Sequence, residues 1–472
     1  MKKVFGAAAA VAVLLFVPWS ADSTPPPPPA RSPFAWNRDA DWKALEEEFQ
    51  QLRRDGCAGA HTELADAEAL LTRLETEPFA PDAPELEQVE RALLLSGTTL
   101  AACPGDAEPA LRWLARFRDA VKRQSAAWNL SDEPARARLY RLLYASRAAL
   151  EEALLQQPKR DVAPVARGRE VKSATPSVTV QGVEVHSGDL LVSRGGAATS
   201  ALIARGSDYP GNFSHVALLH IDPDTHAATI IEAHIELGVR VSSLDDYLAD
   251  KKLRIMVLRL REGLPGVDAM TAHRAATAAL ERAKKEAIAY DLEMNSTEHT
   301  KLFCSELAFA AYEAQGVKLW PGHGHISAPG TRAWLWSLGV RNFATLEPSD
   351  LEYDPQLAVV AEWFDGETLT KDHRDNAVTD VMLEGAERGE RLELERWRLP
   401  LVRLAKAYSA VSLVFGRPGP VPEGMSPEAA LRSLAYTRRH AELRTRLDAR
   451  AAEFERTHGY APPYWQLVTL AH

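Results

Sequence analysis

Apolar residues in the first third of the chain recur at helical spacing. Trp42, Leu45, Phe49 and Leu52 form one stripe, Leu86, Val89 and Leu93 a second, Trp113, Leu114, Phe117 and Val121 a third, and Leu139, Leu142, Leu143 and Leu150 a fourth. Each stripe predicts an amphipathic helix that buries one face, so residues 36–157 read as a small helical bundle. Ser131 stands where the N-cap of the last helix is expected, with Pro134 in the first turn, where a missing N–H costs nothing. Residues 158–179 are charged, proline-containing and aperiodic, which predicts a linker. The period then changes. Short β-rich runs at 189–192, 214–220, 229–232 and 253–260, bounded by Gly, Asp and Pro, predict an antiparallel sheet. A helical stretch over 267–289 follows. After it Leu307, Ala308, Ala311 and Tyr312 fall on one helical face, with Gly316 as a stop. Beyond residue 345 the pattern is helical again, with Trp397, Leu399, Leu401, Leu404 and Tyr408 apolar, a Pro/Gly-rich loop at 417–424, and a charged helix running to about His458.

The N-terminus changes the picture of where the chain works. Lys2-Lys3, an apolar run over 4–17, Pro18 and small residues around Ser20-Ala21 predict an export signal over 1–21, and so a protein of the periplasm or cell envelope. The run is shorter than a comfortable bilayer span, although Trp19 beside the cut keeps an uncleaved anchor as the alternative. Pro25 to Pro29 then predict a stiff polyproline spacer over 22–35. No other segment reaches transmembrane length, so no stable span is expected once the signal is removed.

Composition adds limits. A chain of 472 residues suffices for about three domains, and 46% hydrophobic with 25% charged residues is the balance of a globular protein. The net charge of −10 argues against nucleic acid as the main partner, because phosphate binding needs a basic face. Of three cysteines, Cys57 and Cys103 share the helical N-terminal region, and in an exported protein they are expected to be bridged. Two buried thiols are the alternative. The bridge leaves Cys304 as the odd thiol.

Cys304 is the candidate nucleophile. In Leu302-Phe303-Cys304-Ser305-Glu306-Leu307 it falls in or just before the first turn of a helix, where unpaired N–H groups and the positive end of the helix dipole favour a thiolate. The competing reading is a small buried apolar residue. A thiolate nucleophile needs a base and a group that orients the base. His215, opening the apolar strand Ser214-His215-Val216-Ala217-Leu218-Leu219, is the candidate base; a hydrogen-bonded edge histidine is the competing reading. On the next strand Glu232 and His234 share a face by the period of two, so Glu232 is placed to accept an imidazole N–H, or is an exposed strand carboxylate. His215, His220, His226, His234, His323 and His325 show no compact zinc spacing with Cys304, and no metal or cofactor is expected.

Five blocks in order resemble a known family: Gly188-Asp189-Leu190-Leu191, Phe213-Ser214-His215-Val216, Ile231-Glu232-Ala233 with Gly238-Val239, Tyr290-Asp291, and Phe303-Cys304-Ser305-Glu306-Leu307. They resemble the permuted papain-like cysteine amidases, and within them the YiiX/YebB-like branch of the NlpC-type cysteine hydrolases. The resemblance covers about 180–345 and implies an α+β domain whose antiparallel sheet precedes the nucleophile helix, flanked here by helical regions at 36–157 and 346–472. It implies Cys304 as nucleophile, His215 as general base and acid, and Glu232 as the residue that orients His215. Together with export it implies an amide substrate in the cell envelope, such as a peptidoglycan stem peptide. The alternatives are a lipid amidase or acyltransferase acting on acyl amides, and a non-catalytic binding module.

Overall fold

The computed structural model describes residues 18, 24–35, 40–57, 63–105, 108–157, 165–320 and 324–472. Apart from Pro18, the expected signal segment lies outside them. The bundle has five helices, Ala40–Asp55, Glu63–Thr76, Pro84–Ala102, Glu108–Ser125 and Glu133–Leu155. The second is additional to the four predicted stripes; it enters the core through Leu71 and Leu74, a pair too short to register as a stripe. The N-cap of the last helix is Asp132, without a side-chain cap, rather than Ser131, whose N–H donates to the Asn129 side chain at 3.3 Å. Pro134 lies in the first turn as expected. Cys57 and Cys103 are joined by a disulfide, and Cys304 is the free cysteine.

Eleven strands follow: β1 (Val165–Arg167), β2 (Ser177–Val180), β3 (Val183–His186), β4 (Leu190–Gly195), β5 (His215–Ile221), β6 (Ala228–His234), β7 (Gly238–Ser243), β8 (Lys252–Leu260), β9 (Gly324–His325), β10 (Ala344–Thr345) and β11 (Leu357–Trp363). Seven form one sheet in the order β1-β11-β8-β4-β5-β6-β7, with every neighbour antiparallel. The sheet exceeds the limits expected at 180 and 345. β1 falls in the stretch read as a linker, and β11 in the region read as helical. The reason is visible in β8, which is buried over Leu253–Leu260 and therefore needs a ladder on both edges, β4 on one and β11 on the other.

The apolar core runs without a break from Leu71, Phe117 and Leu143 in the bundle to Val216, Leu258 and Leu307 in the sheet region. A second core joins Leu202 and Trp334 of the central region to Val378, Met382 and Tyr436 of the C-terminal helices Gly366–Glu387 and Pro427–His458. Both flanks are therefore packed parts of the structure, not appendages. The proline-rich segment is also held: Phe34 lies 4.9 Å from Tyr140 between ring centroids, its N–H donates to the Asp208 carbonyl at 2.7 Å, and Arg332 donates to the Pro26 carbonyl at 2.8 Å.

Candidate active site

The nucleophile helix is Cys304–Glu313, with Phe303 extended at the N-cap, so Cys304 is its first residue. Glu306, three residues after the N-cap, accepts the Phe303 N–H at 3.3 Å and holds His299 Nδ1 at 2.7 Å on its other oxygen. This ties down one of the N–H groups that a helix start leaves unpaired. Burial pushes the Glu306 carboxyl up to about 7, against the His299 and Phe303 hydrogen bonds. The helix packs on β5 and β6 through an apolar cluster that includes Phe303, Leu307, Ala308, Val216, Leu218 and Ile231. Tyr312 Oη donates to the Gly188 carbonyl at 2.5 Å and Ser305 Oγ to the Leu346 carbonyl at 2.6 Å, so both ends of the helix are pinned. Gly188 cannot carry a side chain: its φ is +98° and a Cβ there would lie 2.4 Å from the Ala272 Cβ. Asp189 beside it is gripped by Arg259 at 2.9 and 2.8 Å. The first of the five blocks is thus scaffold for the fifth.

Register assembles the rest. Ala217 on β5 faces Glu232 on β6, so His215, two residues earlier, is the diagonal neighbour of Glu232 on the same side of the sheet. Its Nε2 lies 2.7 Å from Glu232 Oε2. Glu232 Oε1 lies 3.0 Å from His234 Nε2, and the two imidazole rings are 5.8 Å apart. His215 opens β5, and the ladder to β6 begins at Ala217, so the ring sits at the end of the strand pair. With Nε2 engaged by Glu232, the other ring nitrogen is the one left for Cys304, and the two side chains act on each other electrostatically. Sγ also lies 4.0 Å from the Ser214 carbonyl. The structure brings Cys304, His215 and Glu232 together, and it puts both Glu232 and His234 at the imidazole.

Electrostatics follow from that geometry. Burial disfavours a charged Cys304, but the His215 hydrogen bond and charge, with the Val216 and Ser305 backbone N–H groups, outweigh it and hold the thiol below its ordinary value. His215 is opposed by burial too, yet the Cys304 and Glu232 contacts push it up to about 10. Glu232, although largely buried, is held well below the usual carboxylate range by His215 and His234. A thiolate–imidazolium pair backed by a carboxylate is the protonation state these contacts favour.

Two neighbours of the sulfur were given no role by the sequence. Tyr290 shares a bridge with Leu302, and burial followed by the charge of the nearby Cys304 raises its phenol well above the ordinary value. It belongs to the fourth block, which marked it without assigning it a role. Glu347 is 5% exposed, and burial followed by the charges of Asp350 and Cys304 pushes its carboxyl well up. It reaches the site through the Leu346–Ser305 contact, 43 residues of chain from Cys304. Of the other candidate histidines, His325 lies in β9 opposite Ala344. His220 stacks on His273 with ring centroids 5.4 Å apart, His226 sits in a turn at φ 57°, and His323 is outside the described residues. Among the described residues no three His, Cys, Asp or Glu side chains are grouped to hold a metal ion. A cavity of about 620 Å³ lined by Trp42, Leu45, Arg91 and Arg138 lies in the bundle and does not include Cys304, which is 6% exposed.

Residues 184–361 match the family described as permuted papain-like amidase enzyme, YaeF/YiiX, C92 family. The central region is a permuted papain-like domain. Among solved structures, the crystal structure titled metalloprotein yiiX from Escherichia coli O157:H7 is 16% identical and matches with a TM-score of 0.30, covering 38% of this chain and 97% of that one. No curated protein matches. The family match runs from β3 to β11 and includes the helix that begins at Cys304; the bundle and the helices after β11 lie outside it.

Proposed function

We propose that this protein is a cysteine-dependent amidase or peptidase of the cell envelope. The observation that carries the reading is the Cys304–His215–Glu232 arrangement, with the 2.7 Å Glu232 contact fixing which imidazole nitrogen is left for the sulfur. The Cys304 thiolate attacks the amide carbonyl carbon, and the carbonyl electron pair moves to oxygen. Backbone N–H groups at the helix start, including that of Cys304, receive the oxyanion. His215 gives its proton to the departing amine, leaving a thioester on Cys304. His215 then takes a proton from water, the hydroxide attacks the thioester, and the acid and free thiolate are released. Glu232 keeps the imidazole oriented and favours its cationic form in both halves.

The substrate reading is an amide reached from the envelope side, with peptide amides of the peptidoglycan stem first. Acyl amides are the second reading, favoured by the apolar residues that adjoin Cys304 in the chain: Leu302 and Phe303 are buried in the core, with Tyr290 packed against it. Matched peptide and N-acyl amide substrates, offered to the parent protein and to Cys304→Ala, distinguish these. Turnover that falls about 10⁴-fold or more in the variant supports the mechanism, and the preferred series identifies the substrate class. Equal hydrolysis by parent and variant removes the cysteine mechanism. No hydrolysis of either series, with an intact ligand-induced stabilisation, selects the binding-module reading.

A further inference from the structure

The stretch from Arg396 to Pro422 departs from the rest of the surface in two independent ways. Of ten large apolar side chains exposed among the described residues, seven lie within it. Six of them, Trp397, Leu401, Leu404, Tyr408, Val411 and Phe415, follow spacings of three and four along the helix Leu399–Val414 and its flanks, at 59–75% exposure. They form one continuous stripe. The polarity of the helix is also inverted, since Ser409 and Ser412 are buried while Leu404 is 69% exposed. Water alone gives no reason for that orientation; a continuous exposed apolar stripe calls for an apolar partner.

The second departure is charge. Residues 396–422 contain Arg396, Arg398, Arg403, Lys406 and Arg417 and no Asp or Glu, in a chain whose net charge is −10. Arg398 pairs with Glu395 at 2.6 Å and Arg403 with Glu428 at 3.3 Å. Lys406 donates to the Pro422 carbonyl at 2.7 Å and to the Glu423 carbonyl, so its ammonium is held against the protein and Arg396 and Arg417 are the cations beside the stripe. Aromatic residues beside cations, flanking an apolar stripe, are the composition of a helix that lies in a lipid–water boundary.

We propose that the helix Leu399–Val414, with Trp397 and Phe415, docks this protein on an anionic lipid bilayer. The stripe sits at the boundary between headgroups and acyl chains, and Arg396 and Arg417 face the lipid phosphates. A second copy of the chain fits less well, because a two-fold contact through this stripe sets the cations of one copy against those of the other. The inner face of the helix connects the docking surface to chemistry. Val402 and Ala405 pack in a cluster with Met425, Ile235 and Leu292. Ile235 follows His234, and Leu292 lies two residues after Tyr290. A docked helix therefore holds the rim of the Cys304 site at the membrane surface, where an amide of a lipid or of a lipid-linked peptide is met.

The test is flotation of the full chain with vesicles of phosphatidylglycerol and phosphatidylethanolamine, compared with phosphatidylcholine alone. The parent is expected to float with the anionic vesicles, and to do so less in roughly 0.5 M salt. The triple variant Leu401→Ser, Leu404→Ser, Val411→Ser is expected to lower partitioning about tenfold or more. Its thermal melt should match the parent, since all three side chains are exposed. The pair Arg396→Gln, Arg417→Gln is expected to weaken binding to anionic vesicles only. Cys304→Ala is expected to float like the parent, which separates this proposal from the hydrolase reading. No flotation of the parent overturns it. So does a triple variant that floats unchanged, whether the N-terminal apolar run carries the binding or the variant merely dissociates a dimer in sedimentation velocity.

Discussion

Two clusters of buried charge in this molecule are built on opposite terms. Where the helical flanks meet the sheet, Arg147 reaches Glu352 at 2.5 Å, Glu362 at 2.8 Å and Glu151 at 3.1 Å. Arg254 grips Glu151 and, at 2.7 Å, Asp372; Arg194 Nε lies 3.2 Å from Asp372, and Arg118 lies 3.7 Å from Glu362. Four guanidiniums meet four carboxylates there, with side chains no more than 6% exposed. At the Cys304 site a single carboxylate serves two imidazoles and one sulfur, and the imidazole that matters is 22% exposed. Guanidiniums do not titrate in the working range, so these four arginines hold position, and the one imidazole there, His373 at 2.9 Å from Glu151, has no nucleophile beside it in the cluster. In the second cluster, one proton transfer neutralises the thiolate–imidazolium pair and leaves only Glu232 charged. Burial of charge is common to both; what marks the reactive site is that its charge can move.

That contrast can be broken by substitutions that separate activity from stability. The largest effect is expected for His215→Ala. It should lower kcat/KM about 10⁴-fold or more while leaving the melting temperature within about 4 °C of the parent, as read by kinetics and calorimetry on one preparation. A large loss of stability instead would make His215 a structural residue. Arg254→Met should do the reverse. Removing one guanidinium leaves Glu151 to Arg147 and His373 and Asp372 to Arg194 alone, and should cost about 3–5 kcal/mol in urea unfolding, with turnover of the folded fraction within about threefold of the parent. If its activity collapses while its stability holds, the network takes part in chemistry.

Glu232→Gln sharpens the comparison. It should lower kcat/KM about 10²-fold and also move the pH profile. The thiolate–imidazolium pair exists above the lowered Cys304 pKa and below about 10, the His215 value. Activity is therefore lost on the acid side as the thiol is protonated, and on the alkaline side as His215 loses its proton. Glu232 is among the contacts that raise His215, so the alkaline limb should shift to lower pH in the variant; an unmoved limb would remove Glu232 from the site. The same sign applies to stability. The part contributed by His215 is complete below its unfolded pKa of about 6.5 and fades as pH rises through the folded value of about 10. The smallest effect is expected for His234→Asn. Its side chain is 39% exposed on the far oxygen of Glu232, so kcat/KM should change less than about threefold in steady-state assays.

Much of the site was legible because its signals are local. A cysteine ahead of an uninterrupted helical face needs only short-range rules to be placed at a helix start, and Cys304 is the first residue of its helix. Period-two alternation put Glu232 and His234 on one face without knowledge of the partner strand. Their meeting with His215 was not legible in the same way. It depends on the register that sets Ala217 against Glu232, and a slip of one residue turns Glu232 to the opposite face. Glu347 carried no pattern because a loop far along the chain delivers it. β11 was hidden for a related reason: a run of seven residues, Leu357–Trp363, reads as strand or helix until the open edge of β8 requires a partner.

By itself, then, the sequence determined the helical flanks, the antiparallel runs between them, the bridging pair Cys57 and Cys103, and the cysteine poised at a helix start. These follow from spacing, composition and the chemistry of single positions. Tertiary structure decided which groups meet that cysteine, how far the sheet extends, and that both flanks are locked to it by Arg147 and Arg254. The physical reason is distance along the chain. Hydrogen bonds and ion pairs act over about 3 Å in space, whereas the residues that make them here, Arg147 and Glu362 or Ser305 and Leu346, lie 215 and 41 positions apart, a separation no local pattern encodes.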